Sequence, residues 1–453
     1  MRPADQAWEP VMRVPLVSVL AAALIASAAS AEETRGPLPG GGDWVVEAPG
    51  NWNGTVLLYS HGYSPVLRPA ESAPRGQREA YLAQGYGLAA SSYSQAGWAL
   101  EQAQVDQWTA LDAFVARYGK PKRVIAWGDS MGGLTSIALV ERHPERLDGA
   151  LAMCGSVSGV LGMMNTALDG AFAFKTLLEP GPDLRLVGIT DDRANGAAAQ
   201  AALNEAMKTP RGRARVALAG ALAQLPGWTD PASPKPAEDD YESQLDQQAK
   251  AFVMGVFLPR ADQERRAGGV FSWNTGIDYA RQLRISGRRP AVEALYKKAG
   301  LDLADDLAIL AKAPRIAAQP GAVAYMAANY TISGDLRRPL MTVHNIGDGM
   351  TVVSANAAYA SAVKARGRSA NLAQGFIDSA GHCLFSAGER LAAIHALEAR
   401  IDTGRWNAAP ATLNRRAARA GDPQGRFIAF SPPAFARPCA RGGACVGAPI
   451  RPK

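Results

Sequence analysis

Histidine and cysteine are scarce in this sequence, five and four respectively among 453 residues. No spacing among them resembles the paired Cys/His pattern of a zinc site, so no metal centre is expected. Beyond the first thirty residues no apolar run approaches the roughly 20 residues that a bilayer demands, which argues against stable membrane insertion. Acids are nearly missing from the end of the chain: from Gly404 onward nine Lys or Arg face one acid, Asp422. That stretch holds a surplus of eight positive charges, the first 31 residues are neutral overall, and the formal total is +7. The residues between carry one net negative charge, so no basic groove for nucleic acid is implied. The tail, 404–453, reads as a solvated Arg-rich extension, neither a repeat nor a separate domain; contact with an anionic cell surface is the other reading.

What is present begins with a leader. "MRVPLVSVLAAALIASAASAEE" places Arg13 before the apolar run Val14 to Ile25 and ends on Ala29-Ser30-Ala31, the pattern of a signal peptide. Residues 1–31 are therefore expected to be removed and the remainder exported to the periplasm or the medium. In such a compartment an even number of cysteines suggests disulfides, and four allow three connectivities. Cys439 and Cys445, separated by "ARGGA", form the natural local pair. With 47% hydrophobic residues the chain is long enough for a large core.

Along the body, short β-rich runs alternate with helical spacing. "DWVVEAP" and "GTVLLYS", split by the turn-forming "GNWN", read as neighbouring strands. "YGLAASSYS", "RVIAWG" and "GALAMCG" follow as buried strands, with helices between them. That alternation predicts a mostly parallel α/β sheet covered on both faces. The rhythm stops near Gly159 and resumes with "PLMTVHNIG". Between these points lie helical segments and breaker-rich loops such as "PASPKPAEDD". The domain reading is a first core part over 32–159, an all-helical cap insertion over 160–337, and a second core part over 338–403. Phe174 and Trp273 stand among the cap residues that could line an apolar pocket, most of which will be core.

Residues 128–133 read "GDSMGG". In trypsin-like proteases a related motif lies between β-barrel strands, and the serine comes last in chain order. Here Ser130 comes first, between an apolar strand and a helix, and Gly128-x-Ser130-x-Gly132 resembles the nucleophile elbow of the α/β-hydrolases. The partners follow in the order that superfamily uses: Asp348 in "VHNIGDGMTVV", then His382 in "DSAGHCLF". Asp378 is the alternative acid. "YSHGYS" is similar to the His-Gly loop of the same fold. The resemblance covers most of 43–403 apart from the cap, and among its branches the chain looks like secreted bacterial serine esterases and prolyl-peptidase-like hydrolases.

The resemblance implies an α/β-hydrolase fold and a secreted serine hydrolase. Ser130 would be the nucleophile, His382 the base and Asp348 its orienting acid, with the Tyr63 and Met131 amides as the oxyanion hole and His61 as a buttress. It implies no cofactor and a small-molecule or oligomeric ester as substrate. Two other readings stay open: a prolyl- or aminopeptidase-like peptidase, with "AEDDYE" (Ala237 to Glu242) as the acid cluster that would grip an amine, and a non-catalytic binding protein. In this fold the carboxyl ends of the strands gather at one edge, which would bring Cys154 near Cys383; a bridge there and two buried thiols are both possible readings.

Overall fold

The computed structural model describes residues 32–442 and 445; the expected leader lies outside the described residues. The strands are β1 (Thr34–Pro37), β2 (Asp43–Glu47), β3 (Thr55–Ser60), β4 (Gly87–Ser91), β5 (Arg123–Asp129), β6 (Gly149–Met153), β7 (Leu340–Gly347), β8 (Leu372–Ala380) and β9 (Phe427–Ile428). Helices α1 (Arg78–Ala83), α2 (Leu100–Tyr118) and α3 (Met131–Arg142) connect the first six strands. Between β6 and β7 come α4 (Gly159–Leu178), α5 (Asp192–Ala206), α6 (Pro210–Leu222), α7 (Tyr241–Val256), α8 (Ala261–Ala267), α9 (Tyr279–Ile285), α10 (Arg289–Lys298), α11 (Leu303–Lys312) and α12 (Pro320–Asn329). Helices α13 (Ala355–Ala365), α14 (Ala387–Thr403) and α15 (Pro410–Arg419) complete the described set.

One nine-stranded sheet runs in the order β1-β2-β4-β3-β5-β6-β7-β8-β9. From β4 to β8 every neighbouring pair is parallel, and the edge strands β1, β2 and β9 join antiparallel. Alternate residues of each strand face opposite sides. Val56, Leu58 and Ala126 point into one apolar cluster with α2 and α3, while Leu57, Ile125 and Trp127 point into another with α14 and α15.

β2 and β3 are not neighbours as their short connection suggests. β4 lies between them, with Trp44 opposite Ser91 and Val56 opposite Gly87. Seven linking residues easily span the roughly 10 Å of one skipped strand, and the fully buried "GLAAS" of β4 is better suited to a central position than an edge.

The nine helices α4 to α12 lie between β6 and β7, and their apolar side chains belong to the same continuous cluster as β3, β5 and α3. α4 is buried along almost its whole length. Phe174 on α4 and Trp273 in the connection from α8 to α9 are fully buried, so they are core and do not line a pocket.

The basic tail is neither irregular nor wholly solvated. α15 buries Leu413 and Ala417, one turn apart, beside α14. Asn414 brackets Phe427 of β9 through both of its amide atoms, at 3.0 and 2.9 Å. Arg437 is 1% exposed and grips both oxygens of Asp169 on α4 at 2.8 Å. A composition-based reading of the tail misses these partners because they come from far upstream in the chain.

Candidate active site

Ser130 occupies the junction between β5 and α3 with φ 57° and ψ −121°, a backbone conformation that side chains rarely adopt. The surrounding glycines explain how the chain reaches it. A Cβ on Gly132 would strike the Ser60 carbonyl, and one on Gly128 would be caught between that carbonyl and Gly132. On the facing loop, a Cβ at Gly62 would lie 3.3 Å from the Ser130 Cβ. The sequence thus forces β3 and the head of α3 close together, with the serine between them.

Asp348 immediately follows β7, and His382 sits in the loop from β8 to α14. His382 Nε2 lies 2.8 Å from Ser130 Oγ, and its Nδ1 lies 2.7 Å from Asp348 Oδ2. The Asp348 carboxylate is completely buried and also accepts the Met350 and Thr351 amides at 2.8 and 3.0 Å. Thr351 Oγ1 stands 2.8 Å from Asp348 Oδ2 and 2.9 Å from the Cys154 carbonyl. Burial works against a charged His382, but the Asp348 charge and hydrogen bond outweigh it, so the imidazole pKa lies above its ordinary value. Burial likewise opposes ionisation of Asp348, and the His382 charge and hydrogen bond reverse this, holding the carboxyl below its usual range. The alternative acid, Asp378, is turned to the surface and paired with Lys235 at 2.7 Å.

Tyr63, on the loop after β3, and Met131, at the head of α3, carry the two amides expected to face an oxyanion. Neither the Tyr63 nor the Met131 N–H donates to an acceptor among the described residues. His61 is pinned beside them. Its ring stacks on Tyr93 at 4.0 Å, with Nδ1 2.6 Å from the Gly62 carbonyl and Nε2 3.1 Å from the Ser92 carbonyl. Burial lowers its pKa, and the one N–H of the neutral ring can donate to either carbonyl, which with the stacking on Tyr93 suits a buttress. A cleft of about 270 Å³ opens alongside, lined by Gly62, Tyr63, Ser64, Arg68 and Arg75 among others.

Three supports surround these residues, and two of them, Arg390 and His344, escape a sequence reading centred on the motif. Arg390 of α14 forms a buried ion pair with Asp129 at 2.5 Å, and its other terminal nitrogen reaches the Cys383 carbonyl at 3.4 Å. One guanidinium therefore spans the residue before Ser130 and the residue after His382. His344, inside β7, is fully buried with Nε2 3.6 Å from Asp348 Oδ2; burial lowers its pKa, against the Asp348 charge. The third is the disulfide between Cys154 and Cys383, whose Cα atoms are 5.3 Å apart across 229 residues of sequence. Both cysteines have positive φ, 45° and 60°. Cys439 and Cys445 form the second disulfide. Cys154, His382 and Cys383 cluster within 4.8 Å, but bridged sulfurs offer no thiolate to a metal. The Cys154–Cys383 bridge is one of the two readings left open by the sequence, which places Cys154 at the carboxyl end of a strand and Cys383 directly after His382; the other, two buried thiols, does not hold.

Two of the four acids of "AEDDYE" are committed elsewhere. Asp240 caps α7 by accepting the Ser243 amide, and Glu242 pairs with Arg213 and Lys298 at 2.6 and 2.7 Å.

No protein-family profile matches the chain. Over 405 residues it is 30% identical to an o-phthalyl amidase of Xanthobacter agilis, an alignment covering 83% of this chain and 88% of the amidase. The chain belongs to that amidase's family within the α/β-hydrolases and is a hydrolase. Among solved structures it is similar to feruloyl esterase B of Aspergillus oryzae, with 14% identity, TM-score 0.37, and 83% and 80% of the two chains covered. An esterase of Pyrococcus furiosus shows 13% identity and TM-score 0.36 over 85% and 91% of the chains. An acylaminoacyl peptidase of Pyrococcus horikoshii shows 8% identity and TM-score 0.35 over 90% of this chain and 43% of the peptidase. Likenesses of that degree carry no weight for the site or its substrate.

Proposed function

We propose that the protein is an exported serine hydrolase that cleaves acyl bonds of small-molecule substrates through Ser130, His382 and Asp348. The observation that carries this reading is the unbroken chain Ser130 Oγ to His382 Nε2 to Asp348, at 2.8 and 2.7 Å. His382 takes the serine proton as Oγ attacks the acyl carbon, and Asp348 stabilises the imidazolium that results. The oxyanion accepts hydrogen bonds from the Tyr63 and Met131 amides, each contributing about 3 kcal/mol to the transition state. His382 then protonates the leaving group. In the second half it activates a water that releases the acid from the acyl-enzyme. These residues need neither metal nor cofactor for either half.

Carboxylic-ester cleavage is the first reading of the bond, since an alkoxide leaving group asks least of the general acid. Amide cleavage is the second, favoured by the amidase relative at 30% identity. The helices between β6 and β7 would act as a cap over the site. The Cys154–Cys383 disulfide fits export, because such bridges persist in oxidising compartments. A fluorophosphonate probe should label Ser130 and leave Ser130→Ala unlabelled. p-Nitrophenyl esters of rising chain length, assayed beside o-phthalyl amides and aminoacyl anilides, rank the bond types. Absence of a Ser130 adduct, with all substrates untouched, would return the chain to the binding-protein reading.

A further inference from the structure

A second cleft, of about 310 Å³, lies where the α6–α7 connection, the start of α10 and the C-terminal segment meet. That size is within the range of small-molecule sites, about 300 to 1,000 Å³. None of its lining residues belongs to the cleft beside Gly62. Its walls are largely apolar, with Trp228, Val353, Phe430 and Pro433 prominent. Set among them is Arg288.

Arg288 is mostly buried, and burial lowers its pKa against only a weak opposing influence from Tyr241. Among the described residues its guanidinium has no ion pair, and its Nε is shut off from solvent without an acceptor. The other charges of the cleft do not answer it: Lys235 is engaged with Asp378, and Glu238 is exposed and does not pair with it. The most deeply buried arginines meet acids, as Arg437 meets Asp169 and Arg390 meets Asp129. Enclosing the Nε end of a guanidinium without an acceptor or counter-charge is costly. An anion supplied from outside would remove that cost.

We propose that this cleft binds an amphipathic carboxylate, with the acid group on the Arg288 fork and an aromatic or aliphatic body against Trp228 and Phe430. The site lies behind the triad acid: Gly347, which precedes Asp348, is also part of its lining, packed so closely under the Trp228 carbonyl that no Cβ would fit.

Benzoate and its neutral isostere benzamide serve as probes in calorimetric titrations of the full chain. Benzoate should bind saturably, benzamide at least tenfold more weakly, and Ser130→Ala should bind benzoate like the parent protein. Arg288→Gln should lose at least tenfold in benzoate affinity while its ligand-free melting temperature holds or rises, because an uncompensated buried charge has gone. If that variant does not fold, Phe430→Glu, which puts a like charge into the cleft, should abolish benzoate binding in the same titration. Equal binding of benzoate and benzamide, or no saturable benzoate binding, overturns the proposal. So does unchanged affinity in Arg288→Gln or Phe430→Glu; a lowered melting temperature with binding intact would make Arg288 a structural residue only.

Discussion

At the scale of single residues, the strained backbone at Ser130 and the buried carboxylate of Asp348 explain why the site needs the side chains it has. Ser130 is held at φ 57° only because Gly132 lets α3 pass under the Ser60 carbonyl. Gly132→Ala should cost about 1–3 kcal/mol in overpacking and reduce probe labelling of Ser130; a thermal melt and a labelling time course check both. His382 accepts a proton only when neutral, and its pKa is raised chiefly by Asp348 against desolvation. Activity should therefore be lost on the acid side and rise with pH through a midpoint above the ordinary histidine value of about 6.5. In Asp348→Asn the raising influence is gone and burial dominates, so the midpoint should move down while kcat falls about 10⁴-fold. A kcat/KM profile measured against pH decides this. An unmoved midpoint would mean that Asp348 does not control His382.

At the scale of elements, the site is a junction of four strand ends locked by two devices. The Cys154–Cys383 bridge fastens the β8–α14 loop to the end of β6. Replacing both cysteines by serine should lower stability by about 2–5 kcal/mol, and kcat should drop more than KM changes, because His382 loses its anchor while the cleft stays. Comparing melts and steady-state constants of the two forms tests that split. Arg390 ties α14 to the elbow through Asp129. Arg390→Met leaves a buried carboxylate unpaired, at a cost of about 3–5 kcal/mol, whereas adding Asp129→Leu should return much of it; a denaturant double-mutant cycle reads the difference. Between β6 and β7, Phe174 and Trp273 are interior residues. Their alanine variants should lose about 3–5 kcal/mol of stability without reordering the preferred substrates, which a substrate panel on the folded fraction would show.

At the scale of the whole molecule, the C-terminal segment is part of the fold. It adds β9 to the sheet, pairs Arg426 with Glu389 of α14 at 2.8 Å, and drives Arg437 into α4 through Asp169. Arg437→Met should therefore destabilise the molecule by about 3–5 kcal/mol by stranding Asp169, measurable as a fall in the denaturant midpoint; a surface arginine would show no change. The elbow motif, the order of Ser130, Asp348 and His382, and the parallel sheet were readable from the chain. Each follows from local demands: glycines where no Cβ fits, apolar runs of strand length, and breaker-rich loops. The position of β4 between β2 and β3, the Asp129–Arg390 pair, the burial of Arg437 and the orphaned Arg288 were not readable. Strand neighbours and buried charges are chosen across hundreds of residues, by which partner is left in reach once the core has closed. The sequence alone determined which residues can do chemistry and in what order they lie; only the tertiary structure decided which charges find a counter-charge, because pairing depends on distance in space and not along the chain.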